Sequence, residues 1–276
     1  MAKREVFITA KDHKDNFEQN PNYRLINPAK SELGRVSKVI LDGINDKIRS
    51  ITSFNQWKNT QSVIDWFNKI TNKSNCCFLS FDVAEFYPSI SEELLDNSIN
   101  WARSITDIPD QHINVIKQAR SSILLNRGVP WIKRNNKNLF DVSMGSFDGA
   151  EICELVGLYI LENLSEEFGK ENVGLYRDDG LMLLRGTSGR CRDQARKELH
   201  RLFEPLGLKI TIDVCHQTVN FLDITLNLTN GSYQPYRKPN NEPLYINSNS
   251  NHPPSIIKQL PKSINKRLSH LSSNRK

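Results

Sequence analysis

Apolar residues recur along this chain with two spacings, one typical of helices and one typical of strands. The helical spacing predicts helices over residues 36–48, 61–70, 91–103, 111–125, 149–168, 190–204 and 256–271, the last of them interrupted at Pro261. Short apolar runs predict strands over residues 5–9, 76–83, 208–214 and 219–226, and a hairpin over 173–184. A second hairpin is predicted around Asn230-Gly231, a pair that favours tight turns.

Two of these helices group their apolar residues on one face, and a third has a predicted cap. In the first helix the grouped residues are Val36, Val39, Ile40, Ile44 and Ile48. In the helix over 149–168, predicted to be amphipathic, they are Ile152, Leu155, Val156, Tyr159, Ile160 and Leu164. Ser91 is predicted to cap the helix that follows it, because a serine side chain accepts a bond from the first turn.

The central elements follow the order β-α-β-β-α-β once the helices within 91–140 are set aside as an insertion. This order is typical of ferredoxin-like folds, in which the first and third strands are neighbours at the centre of the sheet. The end of the first strand, at Asp82, is therefore expected beside Asp178 and Asp179, which are predicted with Gly180 to form the turn of the hairpin.

Three carboxylates at one sheet edge predict a site for divalent cations. Asp-Asp-Gly is a common turn sequence, and turn chemistry alone would explain the hairpin. Adjacent carboxylates repel each other, however, and a cation relieves the repulsion. The convergence of Asp82 with the turn therefore favours a site for two Mg²⁺ ions, which prefer oxygen ligands such as carboxylates.

Composition limits the class of protein without deciding it. The chain has 276 residues, of which 38% are hydrophobic and 25% charged, as in ordinary globular proteins. A net charge of +6 is compatible with nucleic acid as a partner but does not establish it. The five cysteines include no C-x-x-C pair, so neither a disulfide framework nor a zinc site is expected. No signal peptide and no membrane span are expected, because the sequence has no apolar run of the required length.

Several segments resemble the palm motifs of reverse transcriptases, in the order that the family has them. The matching segments are 81–90 (motif A), 144–151 (motif B), 176–179 (the Tyr-x-Asp-Asp box, motif C), 206–209 (motif D) and 220–223 (motif E). Lys11-Asp12-His13-Lys14 and residues 23–26 resemble the basic fingers segment. Together with 236–239 and 250–253, they look most like Penelope-like retroelement polymerases. Two departures are Arg177, where small or apolar residues are usual, and Met144-Gly145 in place of a Gln-Gly opening.

The resemblance implies an α+β protein with a right-hand polymerase fold. Fingers are expected over 1–75, and a ferredoxin-like βαββαβ palm carrying motifs A to D over 76–215, with inserted helices within 91–140. The primer-grip hairpin and the start of a thumb are expected over 216–276, so that the thumb would be partial or absent.

The resemblance also assigns roles to individual residues. Asp82, Asp178 and Asp179 would be catalytic and, with the carbonyl of Val83, would hold two Mg²⁺ ions, for which Mn²⁺ could substitute. The nucleotide would be bound by Lys11, Lys14, Arg24, Tyr87, Gly145 and Lys209. Primer and template would be contacted by Phe221, Leu222, Arg237, Lys238, Lys262, Lys266 and Arg267. Tyr87 would exclude a ribose 2′-hydroxyl. The alternative interpretations are that Tyr87 is an aromatic residue of the core and that the basic residues form a solvated surface.

The function implied is that of a reverse transcriptase, which adds dNTPs to a DNA primer on an RNA template, and also on a DNA template. An RNA-dependent RNA polymerase and an inactive, retroelement-derived nucleic-acid-binding protein are the alternatives. A nucleotidyl cyclase shares the palm topology but would not explain the basic fingers segment or motif E. An intracellular location, and a nuclear one in particular, is an expectation of the resemblance, and the sequence leaves protein partners open.

Overall fold

The computed structural model describes residues 6–10, 17–21, 23–27, 31–121, 124–131, 140, 142–185, 188–238, 246–247 and 250–273. Its strands are β1 (Phe7–Ala10), β2 (Tyr23–Ile26), β3 (Asn55–Gln56), β4 (Cys76–Val83), β5 (Leu124–Asn126), β6 (Val129–Trp131), β7 (Val173–Tyr176), β8 (Asp179–Arg185), β9 (Ile210–His216), β10 (Thr218–Phe221), β11 (Ile224–Asn227) and β12 (Ser232–Pro235). Its α-helices are α1 (Glu32–Thr52), α2 (Thr60–Lys69), α3 (Phe86–Ser89), α4 (Glu92–Ile105), α5 (Asp110–Arg120), α6 (Gly149–Phe168), α7 (Gly189–Phe203) and α8 (Pro254–His270). One turn of 3₁₀-helix, Lys73–Asn75, precedes β4.

The central sheet has five strands in the order β3-β7-β8-β4-β9. Strand β4 is antiparallel to β8 on one side and to β9 on the other, and β3 extends the sheet in parallel with β7. Without β3, the order corresponds to strands 2-3-1-4 of a βαββαβ unit, with α6 and α7 as its helices. The predicted ferredoxin-like topology is therefore confirmed, and it makes β4 a central strand with partners on both sides.

Both faces of this sheet are covered by hydrophobic cores, and β4 contributes alternate residues to each. Cys77, Leu79, Phe81 and Val83 face the first core, which α1, α4, α6 and α7 complete. Cys76 and Phe78 face the second core, which is formed with α2, Trp57 and the small sheet β10-β11-β12. A strand that is buried on both faces has a continuous apolar sequence, which explains why the run over 76–83 predicts β4 at its observed bounds.

The helix α6 is not amphipathic as predicted but is buried on most sides. Cys153, Gly157, Leu158 and Leu161 are buried together with the residues of the predicted face. This follows from its position, because α6 packs against α1 and α4 as well as against the strands of the sheet. A helix enclosed in this way is apolar all round.

The buried face of α1 also differs from the prediction. Val36 and Val39 are 50% and 68% exposed, whereas Leu41, Ile44 and Ile48 are buried. The face toward α6 is polar: the side chain of Asn45 donates to the carbonyl of Glu151 at 2.9 Å. Ion pairs join Lys38 to Glu151 and Arg49 to Glu154. Val36 and Val39 lie outside this buried face and point to solvent.

The turn of the β7–β8 hairpin lies earlier than predicted. Tyr176 pairs with Asp179, so the two turn residues are Arg177 and Asp178, with Arg177 at a φ of 56°. Asp179 and Gly180 belong to β8. Gly180 is required for a close contact rather than for a turn, since a Cβ atom there would lie 2.1 Å from the Phe81 ring.

Three further elements differ from the sequence predictions, and the predicted cap of α4 is confirmed. Helix α5 ends at Arg120, because residues 124–126 form β5 instead of a last helical turn. A turn at Leu222, where φ is 51°, divides the predicted strand over 219–226 into β10 and β11. Helix α8 continues through Pro261. Ser91 caps α4 as predicted, with its side chain accepting from the Leu94 amide at 3.0 Å.

In the part of the chain that the structure describes, none of the helices combines the length and apolar character that crossing a bilayer requires.

The contact between Gly180 and Phe81 can be tested by a substitution that adds one methyl group at residue 180. We expect Gly180→Ala to lower the free energy of unfolding by about 2 kcal/mol or more, because the ring must move or the strand pair must separate. Gly43→Ala is the matched control: Gly43 lies within α1 with no other atom near its Cβ position, so alanine should stabilise the helix by about 0.5–1 kcal/mol. Urea denaturation measures both changes, and a Gly180→Ala protein as stable as the parent would contradict the contact.

Candidate active site

A row of polar side chains crosses four strands of the central sheet. The register pairs Tyr176 of β7 with Asp179 of β8, Asp179 with Asp82 of β4, and Asp82 with Thr211 of β9. Directly paired residues project their side chains to the same face. This face of the sheet packs against the second core at one end, through Phe78, and carries the row of polar side chains at the other end. The topology therefore brings Asp82 and Asp179 together, as the sequence predicts for Asp82 and the hairpin.

Asp82 and Asp179 form the closer of the two kinds of antiparallel pair. The amide of Val83 donates to the carbonyl of Asp178 at 2.9 Å, so the hydrogen bond passes beside the pair and not between its two members. Such a non-hydrogen-bonded pair has Cα atoms only about 4.5 Å apart, with the side chains side by side. On the other edge of β4, the amide of Ala84 donates to the carbonyl of Lys209 at 2.8 Å. Both neighbours therefore hold the end of β4 in place.

Burial and nearby charges both act on Asp179. Burial is the largest effect, and together with the negative charges of Asp178 and Asp82 it raises the pKa of Asp179 to about 6 from its ordinary value of 3.8. The ammonium group of Lys238 acts in the opposite direction on the same pKa. Asp179 is thus a carboxylate whose ionised form gains from an added positive charge.

The donor set fits a hard divalent cation. Asp82 and Asp179 offer carboxylate oxygens from one face, and such cations take carboxylates, backbone carbonyls and water as ligands. The N–H and C=O groups of one strand residue point in the same direction. Because the amide of Val83 points toward Asp178, the carbonyl of Val83 also points toward the hairpin turn. Among the described residues, no three histidine, cysteine, aspartate or glutamate side chains already converge as a cation cluster. The assignment of Asp82, Val83, Asp178 and Asp179 as ligands stays a prediction.

A cleft of about 690 Å³ opens over the polar row. Asp82 and Asp179 line its floor, and the turn between β10 and β11, with Phe221 and Leu222, lines one wall. Lys238 lines the same cleft, which places it beside the carboxylates rather than on a remote nucleic-acid surface. Phe221 is also a core residue, with its ring 5.4 Å from that of Trp57. The cleft thus combines acidic groups with the predicted primer-grip hairpin.

Tyr87 lies on the side of the hairpin tip that faces the first core, whereas the cleft lies on the other side. It is half-buried against the first core, next to α6. The charges of Arg177 and Asp178 both act on its hydroxyl, which places Tyr87 beside the turn of the hairpin. Burial is the largest of the effects that raise its pKa above the ordinary value, so the hydroxyl remains protonated at neutral pH.

Gly145 is packed against the end of β2 and the residue that follows it. Its φ is 90°, and a Cβ atom would lie 2.8 Å from the carbonyl oxygen of Asn27. The amide of Asn27 donates to the carbonyl of Met144 at 2.8 Å, which extends the contact from β2 to motif B. Arg24 lies exposed on β2, whereas Lys11 and Lys14 lie outside the described residues. The predicted nucleotide-binding roles of these four residues remain predictions.

The remaining predicted residues lie on exposed surfaces. Lys209 contributes its carbonyl to the Ala84 contact, and its side chain is exposed. Lys262 and Lys266 are exposed on α8. Arg267 forms an ion pair with Asp223 at 2.9 Å, and Arg237 also has an interaction partner. Arg267 therefore ties α8 to the β10–β11 turn, a structural role that the sequence did not indicate.

Sequence reasoning missed a buried ion pair next to motif B. Arg120, at the end of α5, pairs with Asp148, and both side chains are almost fully buried. Only the position of Asp148 before a long helix was visible in the sequence, and that suggests a cap. The side chain of Asp148 makes no capping bond and pairs instead with Arg120 through Oδ1. Asp213 and Asp223, which also line the cleft, were likewise not singled out.

Comparison with solved structures identifies the fold. No family model and no curated protein match the chain. Telomerase from Candida albicans superposes with a TM-score of 0.58 and 15% identity over 86% of this chain and 42% of its own. The RNA-dependent RNA polymerase of a human picobirnavirus gives a TM-score of 0.57 and 10% identity, over 81% of this chain and 44% of its own. The elongating BmCPV RNA-dependent RNA polymerase gives 0.52 and 12%, over 84% and 22%.

These likenesses confirm the predicted fold class: the chain has an α+β, right-hand polymerase fold. At such identities they establish the fold and not the activity. The chain spans less than half of the length of these polymerases. The domain boundaries and the Penelope-like assignment stay predictions.

The raised pKa of Asp179 makes stability depend on pH. Protonation of Asp179 favours the folded state, and this contribution is lost as the pH rises through about 6, the folded pKa. In metal-free buffer we expect Asp179→Asn to raise the free energy of unfolding by about 2 kcal/mol at pH 8 and to leave it unchanged near pH 4. Denaturant titrations across this pH range measure the difference.

The control for this experiment is Asp193→Asn, on the exposed surface of α7. Its effect should be small and independent of pH. A gain at Asp179 that is equal at both ends of the pH range would show that burial and repulsion do not act on its charge.

Proposed function

We propose that this protein is a template-directed nucleotidyltransferase, and specifically a reverse transcriptase that extends a DNA primer with dNTPs on an RNA template. The observation that carries the proposal is the pairing of Asp82 with Asp179 at the edge of a polymerase palm. Two carboxylates forced together in an open cleft are costly for folding and useful for holding cations. The motif order and the fold support the same conclusion.

The residues of the chain would divide the reaction between them. Asp82, Asp178, Asp179 and the Val83 carbonyl would hold two Mg²⁺ or Mn²⁺ ions, and such ions activate a 3′-hydroxyl and stabilise the leaving pyrophosphate. Asp82 and Asp179 set the position of the primer end over the sheet. Lys209, next to β9, would donate a proton to the pyrophosphate.

The surrounding elements would bind the substrates. Lys11, Lys14 and Arg24 would neutralise the triphosphate. Gly145 and the loop before α6 would face the template base, held in place by Asn27. The β10–β11 turn, together with Lys238, would hold the primer strand beside the carboxylates. Arg237, Lys262, Lys266 and Arg267 would contact backbone phosphates without reading sequence.

A second candidate function is that of an RNA-dependent RNA polymerase. The structural likeness to the picobirnavirus and BmCPV polymerases favours it, since each superposes about as well as telomerase. Tyr87 favours the reverse transcriptase, because an aromatic ring beside the hairpin would exclude a 2′-hydroxyl. An inactive nucleic-acid-binding protein derived from a retroelement is the third candidate. Retroelement origin and nuclear location remain parts of the proposal.

The metal-binding carboxylates give the first test. With Mg²⁺, dNTPs and an RNA template, we expect primer extension by the parent, and a loss of about a thousandfold or more in Asp82→Asn and in Asp179→Asn. Asp193→Asn should retain full activity. Mg²⁺ should also raise the melting temperature of the parent at pH 8, because a bound ligand stabilises the folded state, and the rise should be smaller in both variants.

The outcomes separate the candidates. Binding of the primer–template duplex without extension by any protein supports the binding-only function. Extension that survives in Asp179→Asn would remove that residue from the metal site.

Tyr87 gives the test of sugar selectivity. We expect the parent to prefer a dNTP to the matching rNTP, and Tyr87→Ala to reduce this preference by about 10- to 100-fold, mainly through faster use of the rNTP. Single-nucleotide extension with each substrate measures kcat/KM. A parent that prefers rNTPs would identify an RNA polymerase instead.

A further inference from the structure

A buried ion pair lies where three helices meet beside the candidate active site. Arg120 is the last residue of α5, and Asp148 is the residue just before α6. Their side chains bind each other and are 3% and 0% exposed. The first turn of α1 covers the pair, since a Cβ atom on Gly34 would lie 3.8 Å from Oδ1 of Asp148. The two charges are therefore shielded from solvent.

An ion pair in these surroundings adds little to the stability of a fold. Removing two charges from water is costly, and their attraction offsets this cost only when further hydrogen bonds satisfy both groups. Among the described residues, neither Oδ2 of Asp148 nor Nε of Arg120 has a hydrogen-bond partner. Two apolar side chains of similar volume would fill the same space without that cost. The pair is therefore better explained by what it positions than by what it stabilises.

The start of α6, which Asp148 holds, is in contact with Tyr87. Gly149 follows Asp148 directly, and a Cβ atom on Gly149 would lie 3.6 Å from Cε1 of Tyr87. The same Cβ atom would lie 2.6 Å from Oγ of Ser146, so Gly149 is enclosed on that side as well. A shift of Asp148 would therefore move the backbone against which the Tyr87 ring packs.

The loop before α6, residues 143–148, is held at both ends. At its start, the side-chain amide of Asn27 donates to Oγ of Ser143 at 3.2 Å. At its end, the buried ion pair binds Asp148. Gly145 lies between these two contacts, so its position depends on both. The carboxylates predicted to bind metal lie on β4 and on the β7–β8 hairpin, which the ion pair does not touch.

We propose that Arg120 and Asp148 are positioning residues for the incoming nucleotide. Their pair fixes the start of α6 and the end of the loop before it, and thereby the places of Tyr87 and Gly145, both predicted to contact the nucleotide. The inference rests on the proposed polymerase function and deepens it. A buried charge must meet its partner and so specifies one arrangement, whereas apolar side chains in the same place can pack in several.

The test replaces the pair by apolar side chains of similar volume, in Arg120→Met/Asp148→Leu. Its melting temperature should stay within about 3 °C of the parental value or exceed it. Asp148→Leu alone leaves Arg120 buried without its partner and should lower the melting temperature by about 10 °C. In single-nucleotide extension, the double variant should raise KM for the matching dNTP about tenfold and change kcat by less than about threefold, because it impairs binding and leaves the metal site intact.

Two further variants separate positioning from packing. Arg120→Lys keeps a positive charge beside Asp148, and it should keep KM within about threefold of the parental value, since one nitrogen of Arg120 binds one oxygen. Arg49→Met/Glu154→Leu is the matched control: it removes the ion pair that joins α1 to α6 further along the helix. This control should leave KM unchanged.

A parental KM in Arg120→Met/Asp148→Leu would overturn the positioning role while leaving the polymerase function intact. A double variant as unstable as Asp148→Leu alone would also overturn it, because the pair would then serve stability. An equal rise of KM in the Arg49→Met/Glu154→Leu control would show that any change beside α6 has this effect, and would overturn the specific role of Arg120 and Asp148. A parent that extends no primer would overturn the polymerase function, and this inference with it.

Discussion

The contact between Asp82 and Asp179 is the constraint on which the rest of the structure depends. Like charges side by side repel, and this repulsion adds to burial, the larger effect, in raising the pKa of Asp179. The pair persists because β4 is held between β8 and β9 and is covered by a core on each face. A strand end with so many neighbours cannot move away to relieve the repulsion, so protonation of Asp179 or a bound cation would relieve it instead.

Glycine and aromatic residues allow the hairpin to sit this close to its neighbours. Gly180 lies under the ring of Phe81 on the first-core side, and Gly174 lies under the ring of Trp57 on the second-core side. Each ring occupies the space of an absent side chain, so both cores press directly on the backbone of β7 and β8. The hairpin that carries Asp178 and Asp179 is therefore supported from both faces.

Polar contacts between distant segments place the elements around the cleft. Asn27 binds the loop before α6, Arg120 pairs with Asp148 at the start of that helix, and Lys38 pairs with Glu151 one turn further on. All three tie α6 to other parts of the chain. Because Tyr87 rests on the same helix, these contacts also determine where the expected sugar barrier stands relative to the carboxylates.

The sequence by itself determined the elements of the palm and the meeting of Asp82 with the Asp-Asp hairpin. Apolar spacing is a local property, and a βαββαβ order leaves one arrangement of neighbouring strands. Only the tertiary structure decided that Arg177 and Asp178 form the turn, that Asp179 is the residue opposite Asp82, and that Lys238 lines the cleft. Strand register depends on turn geometry and packing as well as on the apolar pattern, and contacts between distant side chains arise from packing, so a local pattern does not fix them.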